Sequence, residues 1–81
     1  MFRIDQTTVQ AHFAMLNAMH FDGELYVDEF WIDESDDDFC GVDEVDGEIV
    51  IGMCKEYDDE HQFICLLAHE MTHVWQIQNG Y

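Results

Sequence analysis

Residues 59–80, DEHQFICLLAHEMTHVWQIQNG, decide both the fold and the chemistry of this chain. Asp59-Glu60-His61-Gln62 has the form of a capping box, and acidic residues in a first turn suit the positive end of a helix. Apolar positions continue through Phe63, Ile64, Leu66, Leu67, Met71, Val74, Trp75 and Ile77 to Asn79-Gly80, a C-terminal stop. The stretch predicts a helix over residues 59–78 that is apolar nearly all round and therefore central in its domain. Within it stands His69-Glu70-Met71-Thr72-His73, an HExxH. Residues i and i+4 share a helix face one turn apart, so His69 and His73 can both reach one Zn²⁺, with Glu70 beside them as general base toward a water on the metal. In a chain with five His and eight Glu, this pattern arises by chance only about 2% of the time, so it is a moderately specific signal.

Upstream of the helix the hydrophobic period changes from 3.6 to 2. The segments FCGVDEV (residues 39–45) and EIVIGMC (residues 48–54) flank Asp46-Gly47, the strongest hairpin signal in the chain, where Gly supplies the positive φ of a type I′ turn. Ile49-Val50-Ile51 is apolar on both faces, which suits a strand inside a sheet. The same strand, Glu48 to Ile51, is also expected to offer an edge to an extended peptide. Lys55 to Asp58 reads as a loop and Glu34 to Asp38, ESDDD, as a solvated acidic turn. Leu25 to Asp33, LYVDEFWID, suggests a third strand whose alternation changes phase around Asp28-Glu29. Thr7 or Thr8 caps a first helix with an apolar stripe through Val9, Phe13, Leu16 and His20, ended by Asp22-Gly23. The expected fold is a single α+β domain over residues 1–81. An N-terminal helix precedes a three-stranded, antiparallel-containing sheet, and the HExxH helix closes the order. Trp31 and Trp75 are expected as core anchors, Met15 and Met19 as packing, and Cys54 and Cys65 as core thiols.

Of the 81 residues, 48% are hydrophobic, enough for a core, but 19 Asp and Glu face only two Lys and Arg, for a net charge of −17. Such a chain repels a phosphate backbone, which excludes direct nucleic-acid binding and favours cations and basic protein surfaces. Thirteen acidic residues fall between Asp22 and Glu48, with no Lys or Arg among them. A run of this kind is ordinarily a solvated face. Its sharper meaning is mimicry of a phosphate backbone, with Asp36, Asp37 and Asp38 binding a basic cleft on a nucleic-acid-binding protein. Cys40, Cys54 and Cys65 form no CxxC, and Met1-Phe2-Arg3-Ile4-Asp5 has no apolar leader. These features fit free thiols in a soluble cytoplasmic protein, of cellular, phage or viral origin, and no apolar run reaches bilayer length.

The order of these segments resembles the SprT-like zinc metallopeptidases, which include the Spartan-type DNA–protein crosslink proteases. The likeness spans residues 9–78. It rests on a helix leading into Phe21-Asp22-Gly23-Glu24-Leu25, an aromatic strand at Phe30-Trp31, a Gly-containing strand at Cys40-Gly41-Val42, the Ile49-Val50-Ile51 strand and a helix reading LLAHEMTHVWQ. Only HExxH among these is highly specific. The resemblance implies a zincin-like hydrolase with His69 and His73 as zinc ligands and Glu70 as general base for attack on a peptide carbonyl. The family's third ligand is a further His about a dozen residues on, usually beside Gly. Here VWQIQNGY follows His73 and contains no His, Cys, Asp or Glu. His61 lies eight residues before His69, about 12 Å along the helix axis, too far to share the metal. His12, His20 or an acidic side chain between Asp22 and Glu48 are the remaining sources in this chain.

Overall fold

A computed structural model describes residues 1–34 and 40–80. The elements run β1 (Phe2–Arg3), α1 (Gln6–His20), β2 (Glu29–Asp33), β3 (Gly41–Val45), β4 (Glu48–Cys54), β5 (Glu56–Tyr57) and α2 (Glu60–Asn79). The fold is α+β, with a helix near each end of the chain and a mixed three-stranded sheet between them.

The sheet order is β2-β4-β3, with β4 antiparallel to β3 and parallel to β2. The Asp46-Gly47 hairpin forms as expected. Both residues have positive φ, 52° and 82°, the pair of left-handed conformations a two-residue turn needs. Because β4 takes hydrogen bonds from both neighbours, it is the centre of the sheet. The edges therefore belong instead to β2 and β3, each of which among the described residues pairs only with β4.

Alternation along the strands separates the two faces of the sheet. Ile51 and Met53 are fully buried and Ile49 nearly so, with Phe30, Ile32 and Val42 packed beside them. On α2 the buried residues Phe63, Leu67, Glu70, Met71 and Val74 form one stripe, and Val9 and Leu16 of α1 join the same core. The expectation that α2 is wrapped on every side is thus corrected. A chain of this length has too few elements to cover a twenty-residue helix, so Cys65 is exposed and Trp75 keeps 39% of its surface in solvent. Trp31 points to the other sheet face and is 49% exposed, so neither Trp is a core anchor. Met15, Met19 and His20 are exposed as well, since only the Val9 and Leu16 side of α1 meets the sheet.

Local chemistry sets the element ends. The first cap is Asp5, not Thr7 or Thr8. Its carboxylate accepts both the amide and the hydroxyl of Thr8 at 2.8 Å, and these two contacts, the amide first, hold it below its ordinary pKa. Asp59 caps α2 as expected, accepting the Gln62 amide at 2.8 Å, while the Gln62 side chain reaches back to the Asp58 amide. Gly80, at φ 78°, ends α2 in the left-handed conformation.

The third strand begins at Glu29, later than the expected Leu25. Residues 25–28 are tied to other parts of the chain. The buried Asn17 side chain holds both the amide and the carbonyl of Leu25 at 3.0 Å, and the Asp28 carboxylate takes the Ile49 amide. Lys55 to Asp58 is not purely a loop, because Glu56 and Tyr57 pair with Arg3 and Phe2 in a second, two-stranded sheet.

Candidate metal centre

Among the described residues one cluster of three His, Cys, Asp or Glu can share an ion: His69, Glu70 and His73, with ligand atoms all within 4.8 Å of one another. The helix spacing brings the two histidines together directly. Their Nε2 atoms are 3.2 Å apart, and the rings meet edge to face at 87°. Two nitrogens bound tetrahedrally to zinc at 2.0–2.1 Å stand about 3.3–3.4 Å from each other. The separation of the pair therefore matches that of two nitrogens on one zinc ion.

Gln76 adds a contact not identified from the sequence. Its Oε1 lies 3.2 Å from His73 Nδ1. A proton on Nδ1 donated to that oxygen leaves Nε2 unprotonated, the tautomer a metal ligand requires. The signal was present in the sequence, since Gln76 stands three residues after His73 on the same helix face.

The three residues of the motif differ in exposure. His69 and His73 face solvent, whereas Glu70 is 7% exposed. Glu70 and His73 open onto a cleft of about 430 Å³ whose far wall is Cys40, Gly41 and Val42 at the start of β3, with Gln76 and Ile77 closing one end. A carboxylate at the foot of a cleft, beside two imidazoles, is suited to accept a proton from water and pass it on.

The other histidines lie elsewhere. His12 bonds the Thr8 carbonyl through Nδ1, approaches Glu60 at 3.5 Å and stacks edge-on against Phe63, one end of α2 away from the cluster. His61 pairs with Cys65 at 3.5 Å, and His20 ends α1. None of the three joins the His69 and His73 pair. Asp36, Asp37 and Asp38 lie outside the described residues.

Among the described residues no helix is long and apolar enough to cross a membrane. Comparisons with models of protein families, with curated proteins and with solved structures found no match to this chain.

Proposed function

We propose that the chain is a SprT-like, zincin-like domain whose chemistry is zinc-dependent hydrolysis of peptide bonds, full or residual. The observation that carries this reading is the 3.2 Å approach of His69 and His73 Nε2 beside a buried Glu70 at a cleft. His69 and His73 would hold the ion, with the third protein ligand coming from outside residues 74–81. Zinc bound there supplies a Lewis acid and lowers the pKa of water toward neutrality. Glu70 takes the proton from the attacking water and returns it to the departing amine. The outer edge of β3, which carries one wall of the cleft, can receive an extended peptide by backbone pairing and so present a carbonyl to Glu70. A cytoplasmic setting belongs to this reading, in line with three free cysteines.

Zinc titration of the 81-residue chain tests the ligand assignment. His73→Ala is expected to weaken binding by at least tenfold, and acidification to weaken the wild type, because an imidazole must shed its proton to ligate. Equal zinc content in wild type and variant would refute it.

A second reading, a non-catalytic inhibitor that binds a basic, nucleic-acid-binding protein, is favoured by the sheet face turned away from the helices. There Trp31, Val45 and Val50 border a groove of about 500 Å³ over Gly41 and Gly52, rimmed by Glu29, Asp43 and Glu48. An apolar centre inside a carboxylate rim suits a cationic, partly apolar surface. If this reading holds, reversing Glu29, Asp43 and Glu48 to Lys abolishes displacement of DNA from such a partner. His69→Ala with His73→Ala leaves it within a few-fold. Loss only in the histidine variant would contradict it.

A further inference from the structure

Outside the histidine cluster the fold brings together two more side chains that carry chemistry. Cys40, just before β3, and Cys54, the last residue of β4, are outside any disulfide, and their sulfurs lie 2.8 Å apart although they are 14 positions apart in the chain. The Tyr57 hydroxyl stands over both. It accepts the Cys54 amide at 3.0 Å and lies 3.7 Å from Cys40 Sγ. Burial and the neighbouring Cys40 push the Tyr57 phenol well above its ordinary pKa of 10.0, so it stays neutral beside that sulfur.

The separation selects the chemistry. Even carbon atoms in ordinary contact stay about 3.5–4.0 Å apart, so these larger atoms are already inside non-bonded distance. Two sulfurs sharing a tetrahedral ion with bonds of about 2.3 Å sit roughly 3.8 Å apart, an ångström wider than here. A disulfide needs about 2.05 Å, a closure of under 1 Å. The geometry therefore favours a covalent S–S bond over a shared metal.

We propose that Cys40 and Cys54 form a reversible disulfide by exchange with low-molecular-weight disulfides of the glutathione class. Cys40 is half-buried and lines two clefts, whereas Cys54 is buried and lines only one of them, so Cys40 is the entry point. Its thiol gives up its proton to solvent, and the thiolate attacks one sulfur of the small disulfide. A mixed disulfide forms on Cys40 and one small thiolate leaves. Cys54, deprotonated in turn, attacks Cys40 Sγ and expels the second small thiolate. The two protein thiols lose two electrons and two protons, and one small disulfide becomes two small thiols. Cys65, exposed on α2 beside His61, takes no part. The bond closes the loop that contains the hairpin and anchors the start of β3 to the end of β4. It thereby fixes the Cys40-Gly41-Val42 wall of the cleft onto which Glu70 and His73 open.

Mass spectrometry of the reduced, metal-free 81-residue chain after incubation with oxidised glutathione and alkylation decides the point, independently of any metal or peptidase activity. The expected product has lost two hydrogens, carries one alkyl group on Cys65 and yields a Cys40–Cys54 crosslinked peptide at least tenfold more abundant than any glutathione adduct, because the second thiol is already in place. Cys65→Ser is expected to form the same bridge. Cys54→Ser is expected to stop at a glutathione adduct on Cys40. Three alkylated cysteines, a lasting adduct on wild-type Cys40, or disulfide dimers through Cys65 in place of the bridge would overturn the proposal. The mapping on the unmutated chain stands whether or not either variant folds.

Discussion

With a histidine-bearing segment appended after Tyr81 to complete the ligand set, Glu70→Gln is expected to lower peptide hydrolysis by about two to four orders of magnitude while leaving zinc content unchanged. The physical reason lies in the split exposure of HExxH. The two imidazoles that would hold the ion face outward, and the carboxylate lies 7% exposed at the foot of the cleft. Gln is nearly isosteric with Glu, so it fills the same place in the cleft opposite the start of β3, but it has no basic lone pair with which to take a proton from water. Without the appended segment, two histidines alone hold zinc loosely, and the 81-residue chain is expected to turn over little or no substrate. Peptidase assays with parallel metal analysis check both statements. Retained activity in Glu70→Gln would remove Glu70 from the reaction. Robust, chelator-sensitive cleavage by the bare chain would mean that the ligand set had been misjudged.

The second large effect concerns folding. Phe63→Ala is expected to cost about 3–5 kcal/mol, the range for deleting a fully buried aromatic ring. A domain of this size has on the order of 4–12 kcal/mol in all. Phe63 has no exposed surface and is the ring on which four elements meet. Its centroid lies 5.6 Å from Phe2 of β1, 5.1 Å from His12 of α1 and 5.2 Å from Tyr57 of β5, and it belongs itself to the first turn of α2. Thermal and urea denaturation followed by circular dichroism should show a variant largely unfolded or melting far below the wild type. Met19→Ala on the exposed side of α1 should change little. A Phe63→Ala variant melting within a few degrees of wild type would show that this cluster does not hold the elements together.

How much of this was legible beforehand depended on the range of the interaction. The Asp59 cap, the Gly80 stop and the Asp46-Gly47 turn are settled by atoms within four residues, and each was readable from the sequence. The facing of His69 and His73 follows from helix geometry alone and was readable for the same reason. Asp5 was missed as a cap because Thr7 and Thr8 are equally good cap residues by type, and only the turn between β1 and α1 selects among the three. The late start of the strand expected from Leu25 was hidden because Asn17, eight residues back, satisfies the Leu25 backbone in place of a strand partner. The two apolar faces of Ile49-Val50-Ile51 marked β4 as an interior strand, but nothing local revealed that its second partner is β2, since a parallel partner leaves no turn signature. The edge was consequently assigned to the wrong strand. Trp31 and Trp75 illustrate a different limit: aromatic type predicts burial only where enough other chain exists to cover the ring. The Cys40 and Cys54 pair depends on strand register and shows no CxxC, so sequence spacing pointed away from it.

The central position of β4 also governs the order in which the chain can assemble. β2 and α1 are synthesised first, yet the strand that β2 pairs with is complete only at Cys54. Until then α1 can meet β2 through Phe13 and Phe30, but the edge of β2 that faces β4 has no native partner. The β3–β4 hairpin closes over two residues and can form locally, whereas joining Glu29 to Val50 requires closing a loop of about twenty residues, at a greater entropic cost. The hairpin is thus the natural nucleus and the parallel pairing the later step. The thirteen carboxylates of residues 22–48, with no Lys or Arg among them, make the waiting segments of two nascent copies repel each other until the central strand is made.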